Sequence, residues 1–296
     1  MTSRFDRLSL LDTFVRVAER RSLSAAARDL DVSQPSVSRQ LAALEARLGV
    51  VLMRRTTHDV TLTPDGLDLL ADARRLIGEW EAIEERTAEG GTLAGRVRVI
   101  APVALGQSLL VNGTARFMKQ HPNVTIDWRL RDDPIRFAEE GCDCWLKVGP
   151  VPDDTLVVRE LARVERLVVG APESLPETGD VDLAALPWVT LGPFEGNRIE
   201  LFNREGFATV FAVAPRMASD NIFAVQQAVR QGVGVAILPR WFVASALDNG
   251  ILVDVAPDWR AARLPVNLAL AAGARRPARV EAFAEYIAEW CGERLS

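Results

Sequence analysis

The fold class this sequence predicts is an α/β protein with an all-α N-terminal part that carries a small β-wing. Three observations lead there. Apolar residues recur at helical spacing through the first fifty positions, and an apolar stripe spaced 4, 3, 4, 3 follows Thr63-Pro64. From Arg96 onward, short strand-like runs alternate with helical ones. A length of 296 residues suits two domains or three. With 48 % hydrophobic and 25 % charged residues, wholesale disorder is excluded. No apolar run approaches the roughly 18–20 residues that cross a bilayer.

Leu8, Leu11, Phe14, Val15 and Ala18 define the first helix. Ser22 and Ser24 offer caps for a second, built on Ala25-Ala26-Ala27 and closed by Leu30, where small side chains let another helix approach. Asp31-Val32-Ser33 is a tight turn, with Ser33 as N-cap and Pro35 in the first turn of a third helix. That helix runs to Leu48 and stops at Gly49. Val51-Leu52, Thr56-Thr57-His58-Asp59 and Val60-Thr61-Leu62 read as strand, turn, strand. The long helix after Thr63-Pro64 presents Leu69, Ala73, Leu76, Trp80 and Ile83, a coiled-coil seam that meets a second copy or packs on its own domain. Gly90-Gly91 and Gly95 end it at a flexible boundary.

Beyond that boundary, strands are predicted at Val97–Ile100, Val124–Leu130, Cys142–Val148, Leu156–Val158, Arg166–Gly170, Trp188–Leu191, Val233–Leu238 and Val266–Ala271. Helices are predicted at Val103–Gln120, Pro134–Glu140, Asn221–Gln231, Arg240–Asn249 and Pro277–Arg294. This alternation implies parallel sheets covered on both faces.

The net charge of −5 is unevenly spread. Residues 1–60 carry ten Arg against seven Asp or Glu, a net of +3, and the remainder a net of −8. Nucleic-acid contact depends on a local basic face, so the segment matters more than the total. Cys142, Cys144 and Cys291 form no CxxC pair, and His58 and His121 are the only imidazoles. A zinc site, a disulfide framework, other bound cofactors and His-dependent hydrolysis are therefore not expected. Cys142 and Cys144, two apart on a strand, share one face; packing and a redox role both remain open. Met1 to Arg7 has no apolar core behind its charges, so a cytoplasmic protein is expected.

The stretch Ser22 to Leu48 carries the chemistry. Val37, Leu41, Leu44 and Leu48 form the apolar face of the third helix, while Gln34, Pro35, Ser38 and Arg39 fall on the other. Gln pairs bidentately with adenine, Arg with guanine, and an apolar edge meets the thymine methyl. Ser33, Ser36 and the helix N-terminal amides suit phosphates, which fix register. Arg54, Arg55 and His58 on the wing suit backbone or minor groove.

Phe14-Val15-Arg16-Val17-Ala18, Ser22-Leu23-Ser24-Ala25-Ala26-Ala27, Ser33-Gln34-Pro35-Ser36-Val37-Ser38-Arg39-Gln40-Leu41, Leu44-Glu45 and Leu62-Thr63-Pro64-Asp65-Gly66 resemble a LysR-type transcriptional regulator. The likeness runs through about the first 66 residues and more loosely beyond, for example at Gly232-Val233-Gly234-Val235-Ala236-Ile237-Leu238-Pro239. It implies a winged helix-turn-helix (1–66), a dimerisation helix and hinge (67–91), and a two-lobed effector domain like periplasmic binding proteins of type 2. Lobe I would take 92–165 and 267–296, and lobe II 166–266. By position, Gln34, Pro35, Ser38 and Arg39 become base readers supported by Arg55 and the wing tip, where His58-Asp59 stands in place of a commoner second basic residue. The implied partners are a double-stranded DNA operator, a small-molecule effector and further copies of the chain, as dimer or tetramer. RNA polymerase is a candidate partner, and no membrane is implied.

Ligands in open α/β sheets sit beyond the carboxyl ends of strands, near helix N-termini. Here the first strand ends at Ile100-Ala101 before Pro102-Val103-Ala104, and a comparable junction is Ala218-Ser219-Asp220-Asn221. With the lobes crossed near Arg159–Arg166 and Leu264–Leu268, the cleft would be lined by Pro102, Val103, Ala104, Arg131, Lys147, Val148, Leu191, Gly192, Pro193, Phe194, Asn197, Asn221 and Ile222. Lys147, one of two lysines, reads as a carboxylate or sulfonate anchor with Arg131, or as an ordinary surface cation. Val103, Pro193 and Phe194 favour a partly apolar, aromatic organic acid. Competing readings are a redox-sensing or effector-independent regulator, and a solute-binding protein or enzyme on the same fold; no phosphate loop or nucleophile elbow supports catalysis.

Overall fold

The computed structural model describes residues 6–55, 60–87, 92–175, 181–192, 198–272 and 275–295, with the backbone alone at Arg55, Arg86 and Ala138. It opens with helices α1 (Arg7–Arg20), α2 (Leu23–Asp29) and α3 (Gln34–Leu48), then the wing strands β1 (Met53–Arg55) and β2 (Val60–Leu62). Each helix begins at a side chain suited to hold its free amides. Asp6, Ser22 and Ser33 accept hydrogen bonds from the amides of Ser9, Ala25 and Ser36 at 3.4, 3.3 and 3.3 Å. Gly49, at φ 75°, ends α3 by donating its amide to the Glu45 carbonyl at 2.8 Å.

Leu10, Phe14, Val17, Val37 and Leu41 are fully buried in the core these helices share. Each such side chain stabilises the fold by about 1.5–3 kcal/mol. The wing starts later than its sequence suggests. The Glu45 carboxylate accepts from the amides of Leu52 at 2.9 Å and Met53 at 3.3 Å, so Val51-Leu52 is a link pinned to α3 and not a strand.

The long helix α4 (Pro64–Thr87) starts at Thr63, whose Oγ1 accepts from the Gly66 amide at 3.0 Å and donates to the Val51 carbonyl at 2.7 Å. Its apolar stripe divides. Ala73 is fully buried in the N-terminal core and Leu69 packs against it, while Leu76, Trp80 and Ile83 stay exposed. The seam expectation is thus corrected in its first half, which packs on its own domain.

The α/β region contains β3 (Gly95–Ala101), α5 (Val103–Gln107), α6 (Leu109–Gln120), β4 (Val124–Leu130), α7 (Phe137–Glu140), β5 (Cys144–Val148) and β6 (Leu156–Gly170). There follow β7 (Trp188–Leu191), β8 (Arg198–Asn203), β9 (Ala208–Ala212), β10 (Pro215–Ser219), α8 (Ile222–Arg230), β11 (Ala236–Pro239), α9 (Arg240–Asp248), β12 (Val253–Asp254), β13 (Trp259–Ala271) and α10 (Ala278–Gly292). β3 is parallel to β4 and β5, and β10 is parallel to β7. The all-parallel expectation fails at β6 and β13, which pair antiparallel from Ala261↔Arg166 to Ala271↔Leu156. These strands run between two cores, one holding Val97, Leu105, Phe117 and Phe283, the other Leu167, Val225, Leu238 and Val243.

Three other sequence readings are corrected. Leu156–Val158 and Arg166–Gly170 are ends of one strand whose charged middle, with Glu160 and Arg163 paired at 2.8 Å, hides the pattern. The helix at Val103–Gln120 breaks at Ser108 (φ −117°, ψ −83°), whose hydroxyl donates to the Ala104 carbonyl at 2.7 Å. Cys142 precedes β5, so the pleat does not align it with Cys144. Cys144 packs with Val97 and Val99, whereas Cys142 joins Ile100, Phe137 and Trp145. Cys142, Cys144 and Cys291 are free and buried, and burial pushes the Cys142 and Cys291 thiols up to about 12. Among the described residues, no helix is long and apolar enough to cross a membrane.

Candidate nucleic-acid interface and ligand cleft

The first turns of α3 set one polar edge against solvent. Val37, Leu41 and Leu44 point into the core, and Ser33, Gln34, Pro35 and Arg39 are exposed. Ser36 and Ser38 are half-buried beside them. Arg54 is exposed on β1; Arg55 is placed there by its backbone, and His58 lies outside the described residues.

A residue not singled out from sequence holds this edge from behind. Gln40 is 7 % exposed, and its Oε1 accepts from Thr13 Oγ1 at 2.8 Å and Ser9 Oγ at 3.3 Å. Its Nε2 donates to Ser36 Oγ at 3.4 Å, so part of the Ser36 hydroxyl's capacity is turned inward. The signal was a polar residue on the inward side of α3 opposite two hydroxyls on α1. Arg20 and Asp29, paired at 2.6 Å, tie α1 to α2 on the other side.

The second site is a cleft of about 620 Å³ where the two cores of the α/β region approach. Pro102, Ala104, Arg131, Lys147, Val148, Leu191, Gly192 and Ile222 come together on its wall. Val103 and Asn221 do not. The Val103 amide donates to Asp132 Oδ1 at 3.0 Å, and Asn221 caps α8 by accepting from the amides of Phe223 and Ala224 at 2.9 and 3.2 Å. Pro193, Phe194 and Asn197 lie outside the described residues. The anchor pair read from sequence is also divided. Arg131 is ion-paired with Glu140, while the Lys147 ammonium sits 5.5 Å over the Trp145 ring.

The cleft brings in groups that sequence reading did not select: Asp132, Asp133, Asp220, Arg166, Thr190 and Trp241. Burial lowers the pKa of Arg166, and its Nε donates to the Ala262 carbonyl at 2.8 Å. Burial raises the pKa of Asp132; the Val103 amide and Lys147 oppose this, and Asp133 and Asp220 add to it. The apolar wall includes Trp145, Trp188 and Ile199. The visible signal for Arg166 was a lone cation beginning the apolar run Leu167 to Val169.

The cleft and the N-terminal part are joined through charged contacts. Glu140, the partner of Arg131, ends α7, and the next residue, Gly141 (φ 65°), lies against the Arg74 guanidinium of α4. Arg74 and Arg98 flank Glu19 of α1 at 3.6 and 3.9 Å. Arg279 of α10 is ion-paired with Glu81 and Glu85 of α4.

Residues 8–67 match the family described as bacterial regulatory helix-turn-helix protein, lysR family, and residues 90–292 match the LysR substrate binding domain. The HTH-type transcriptional regulator PtxR of Pseudomonas aeruginosa is 30 % identical over 302 residues, covering 99 % of this chain and 97 % of its own. YhjC of Escherichia coli, an HTH-type transcriptional regulator, is 28 % identical, covering 96 % and 97 %. Among solved structures, a full-length OxyR variant from Pseudomonas aeruginosa superposes with a TM-score of 0.71 at 20 % identity, covering 98 % and 95 %. CrgA of Neisseria meningitidis, a LysR-type transcriptional regulator, gives 0.60 at 25 % identity, covering 96 % and 98 %.

Proposed function

Because this chain belongs to the LysR family of transcriptional regulators, with a DNA-binding and an effector-binding domain and no enzymatic role, we propose how its residues divide that work. Gln34, Pro35, Ser38 and Arg39 read base edges in the major groove, and Ser33, Ser36 and the first amides of α3 hold phosphates. Arg54, Arg55 and His58 contact the backbone or minor groove beside them. The observation that carries this reading is the exposed edge of α3, capped at Ser33 and held from behind by Gln40.

Two chains join through the exposed Leu76, Trp80 and Ile83 of α4, so that two reading edges meet successive grooves of a partly palindromic operator. A dimer of dimers follows the same logic, with RNA polymerase at the promoter as a further partner, all within the cytoplasm. The domain limits at 66, 91, 165 and 266 are retained for this division of labour.

The effector is an organic acid bound in the cleft, and the half-buried Arg166 supports an anionic group there. It acts by its differential affinity for two arrangements of the lobes. The contacts of Arg131 with Glu140, of Gly141 with Arg74, and of Arg74 with Glu19 offer a continuous route from the cleft to α1, which Thr13 joins to Gln40 of the reading helix.

Fluorescence titration on an operator selected from genomic fragments tests the reading edge. Gln34→Ala or Arg39→Ala should cost about 1–3 kcal/mol on the operator and relax preference at one position. Arg55→Ala should weaken every sequence alike and reduce the salt slope. A Gln34→Ala variant that binds the operator as the native chain does would contradict the assignment.

A further inference from the structure

The cleft is lined by charges of both signs: Arg166, Arg131 and Lys147, the pair Arg198 and Glu200 of β8, and Asp132, Asp133 and Asp220. Arg166, half-buried on the cleft wall, lies between its register partners Pro239 and Ala261 on β11 and β13. Burial alone acts on its guanidinium, and among the described residues no carboxylate offsets it. Thr190, only 4 % exposed, lines the same cleft; among the described residues its Oγ1 has no hydrogen-bond partner, and Trp241 Nε1 is likewise unsatisfied. Buried polar groups are nearly always paired, so these donors are suited to an acceptor from outside the chain.

Elsewhere on the wall carboxylates gather. Asp132 and Asp133 follow β4, and Asp220 immediately follows β10 in the other half of the region. Asp220 and Asp133 both act on Asp132 as like charges, with Lys147 as the opposing cation. Around Asp132, three carboxylates thus stand with one ammonium, the neighbouring Arg131 being taken up by Glu140. A plain acid would satisfy Arg166 and leave these carboxylates repelling one another, more strongly as the cleft closes and water leaves.

We propose that the effector is amphoteric, an ammonium carboxylate of the amino-acid kind, with its carboxylate on Arg166 and Thr190 and its ammonium among Asp132, Asp133 and Asp220. This rests on the cleft being the effector site and narrows the organic acid to one that also carries a cation. Trp145, Trp188 and Ile199 suit an apolar side chain between the two ends, and about 620 Å³ is ample for one. The ammonium supplies what a population shift requires, an interaction that strengthens when Asp132 and Asp220 are brought together.

Isothermal titration of the full-length protein with L-phenylalanine, 3-phenylpropanoate and 2-phenylethylamine, and with the matching leucine series, tests this. At least one amino acid should bind about tenfold or more tightly than either analogue, a step of one charge-assisted contact. In the Asp132→Asn, Asp220→Asn double variant that advantage should shrink to less than about threefold. The Asn carbonyl at 132 can still accept from the Val103 amide, which preserves the start of α5. Arg166→Gln should weaken the amino acid and 3-phenylpropanoate alike, and the near-isosteric Thr190→Val gives the same readout if Arg166→Gln fails to fold. Equal binding of 3-phenylpropanoate and L-phenylalanine, or an advantage that survives the double variant, overturns the amphoteric assignment while leaving the cleft as an acid site. Binding of no compound in either series overturns both.

Discussion

The proposed reading edge and the cleft are built in opposite ways. Ser33 to Gly49 is one uninterrupted helix with its caps, so the groups facing outward are fixed by neighbours in sequence. The cleft draws side chains from segments as far apart as Pro102, Lys147, Thr190 and Leu264, which come together only through pairings between distant strands, β13 with β6 and β5 and β10 with β7. The reading edge has its polar groups braced: Gln40 satisfies two hydroxyls of α1 and reaches a third on α3. The cleft instead leaves the Thr190 hydroxyl and the Trp241 indole unsatisfied among the described residues. Bracing suits a surface that must keep one shape against DNA, and unsatisfied groups suit a site that is completed by a ligand.

The contrast can be broken most strongly at Gly66. A Cβ there would stand 2.1 Å from the Leu52 carbonyl oxygen, and backbone cannot swing aside as a long side chain can. Gly66→Ala should cost about 3 kcal/mol or more, and it should do so in the N-terminal domain alone. Calorimetry should then show an early transition that removes operator binding, with the transition of the α/β region unchanged.

A smaller change sharpens the comparison at Gln40. Gln40→Ala removes the shared acceptor of Thr13 and Ser9, which leaves a buried hydroxyl unpaired and should cost about 1–3 kcal/mol in thermal unfolding. Operator affinity should fall with it although Gln40 does not face the DNA. Retained affinity would show that the edge of α3 does not depend on this brace.

The smallest expected effect concerns the cysteines. Thiols at about 12 are protonated at neutral pH, and all three are buried. Labelling by a thiol reagent at pH 7.5 should proceed only at the rate of unfolding, and mild peroxide should leave operator affinity unchanged. Rapid labelling of a native thiol would favour a redox-sensing regulator instead.

How far each region was legible follows from the same difference. Helix spacing, the Ser33 cap, Pro35 and the Gly49 stop are local signals, and the structure reproduces them to the residue. The wing was displaced because its start depends on Glu45 binding the amides of Leu52 and Met53, a contact across seven and eight residues. In the cleft, Glu160, Arg163 and Glu165 broke the apolar pattern of β6, and with the strand hidden its Arg166 could not be placed on the wall. Asn221 was legible as polar at a strand–helix junction, but whether it caps or faces the ligand depends on the turn, and it caps. The pairing of Arg131 with Glu140 joins residues nine apart through the short helix α7, which periodicity alone does not orient.

In the proposed complex two chains, joined along α4, present their Gln34-to-Arg39 edges to one duplex. Hydroxyl-radical footprinting on the selected operator, with the oligomeric state followed by sedimentation, tests it directly. Protected half-sites are expected about one helical turn, or a multiple of it, apart, bound by an even number of chains, with Trp80→Glu giving a monomer that loses the footprint. A native chain that remains monomeric, or that protects random and genomic fragments equally at physiological salt, would contradict it.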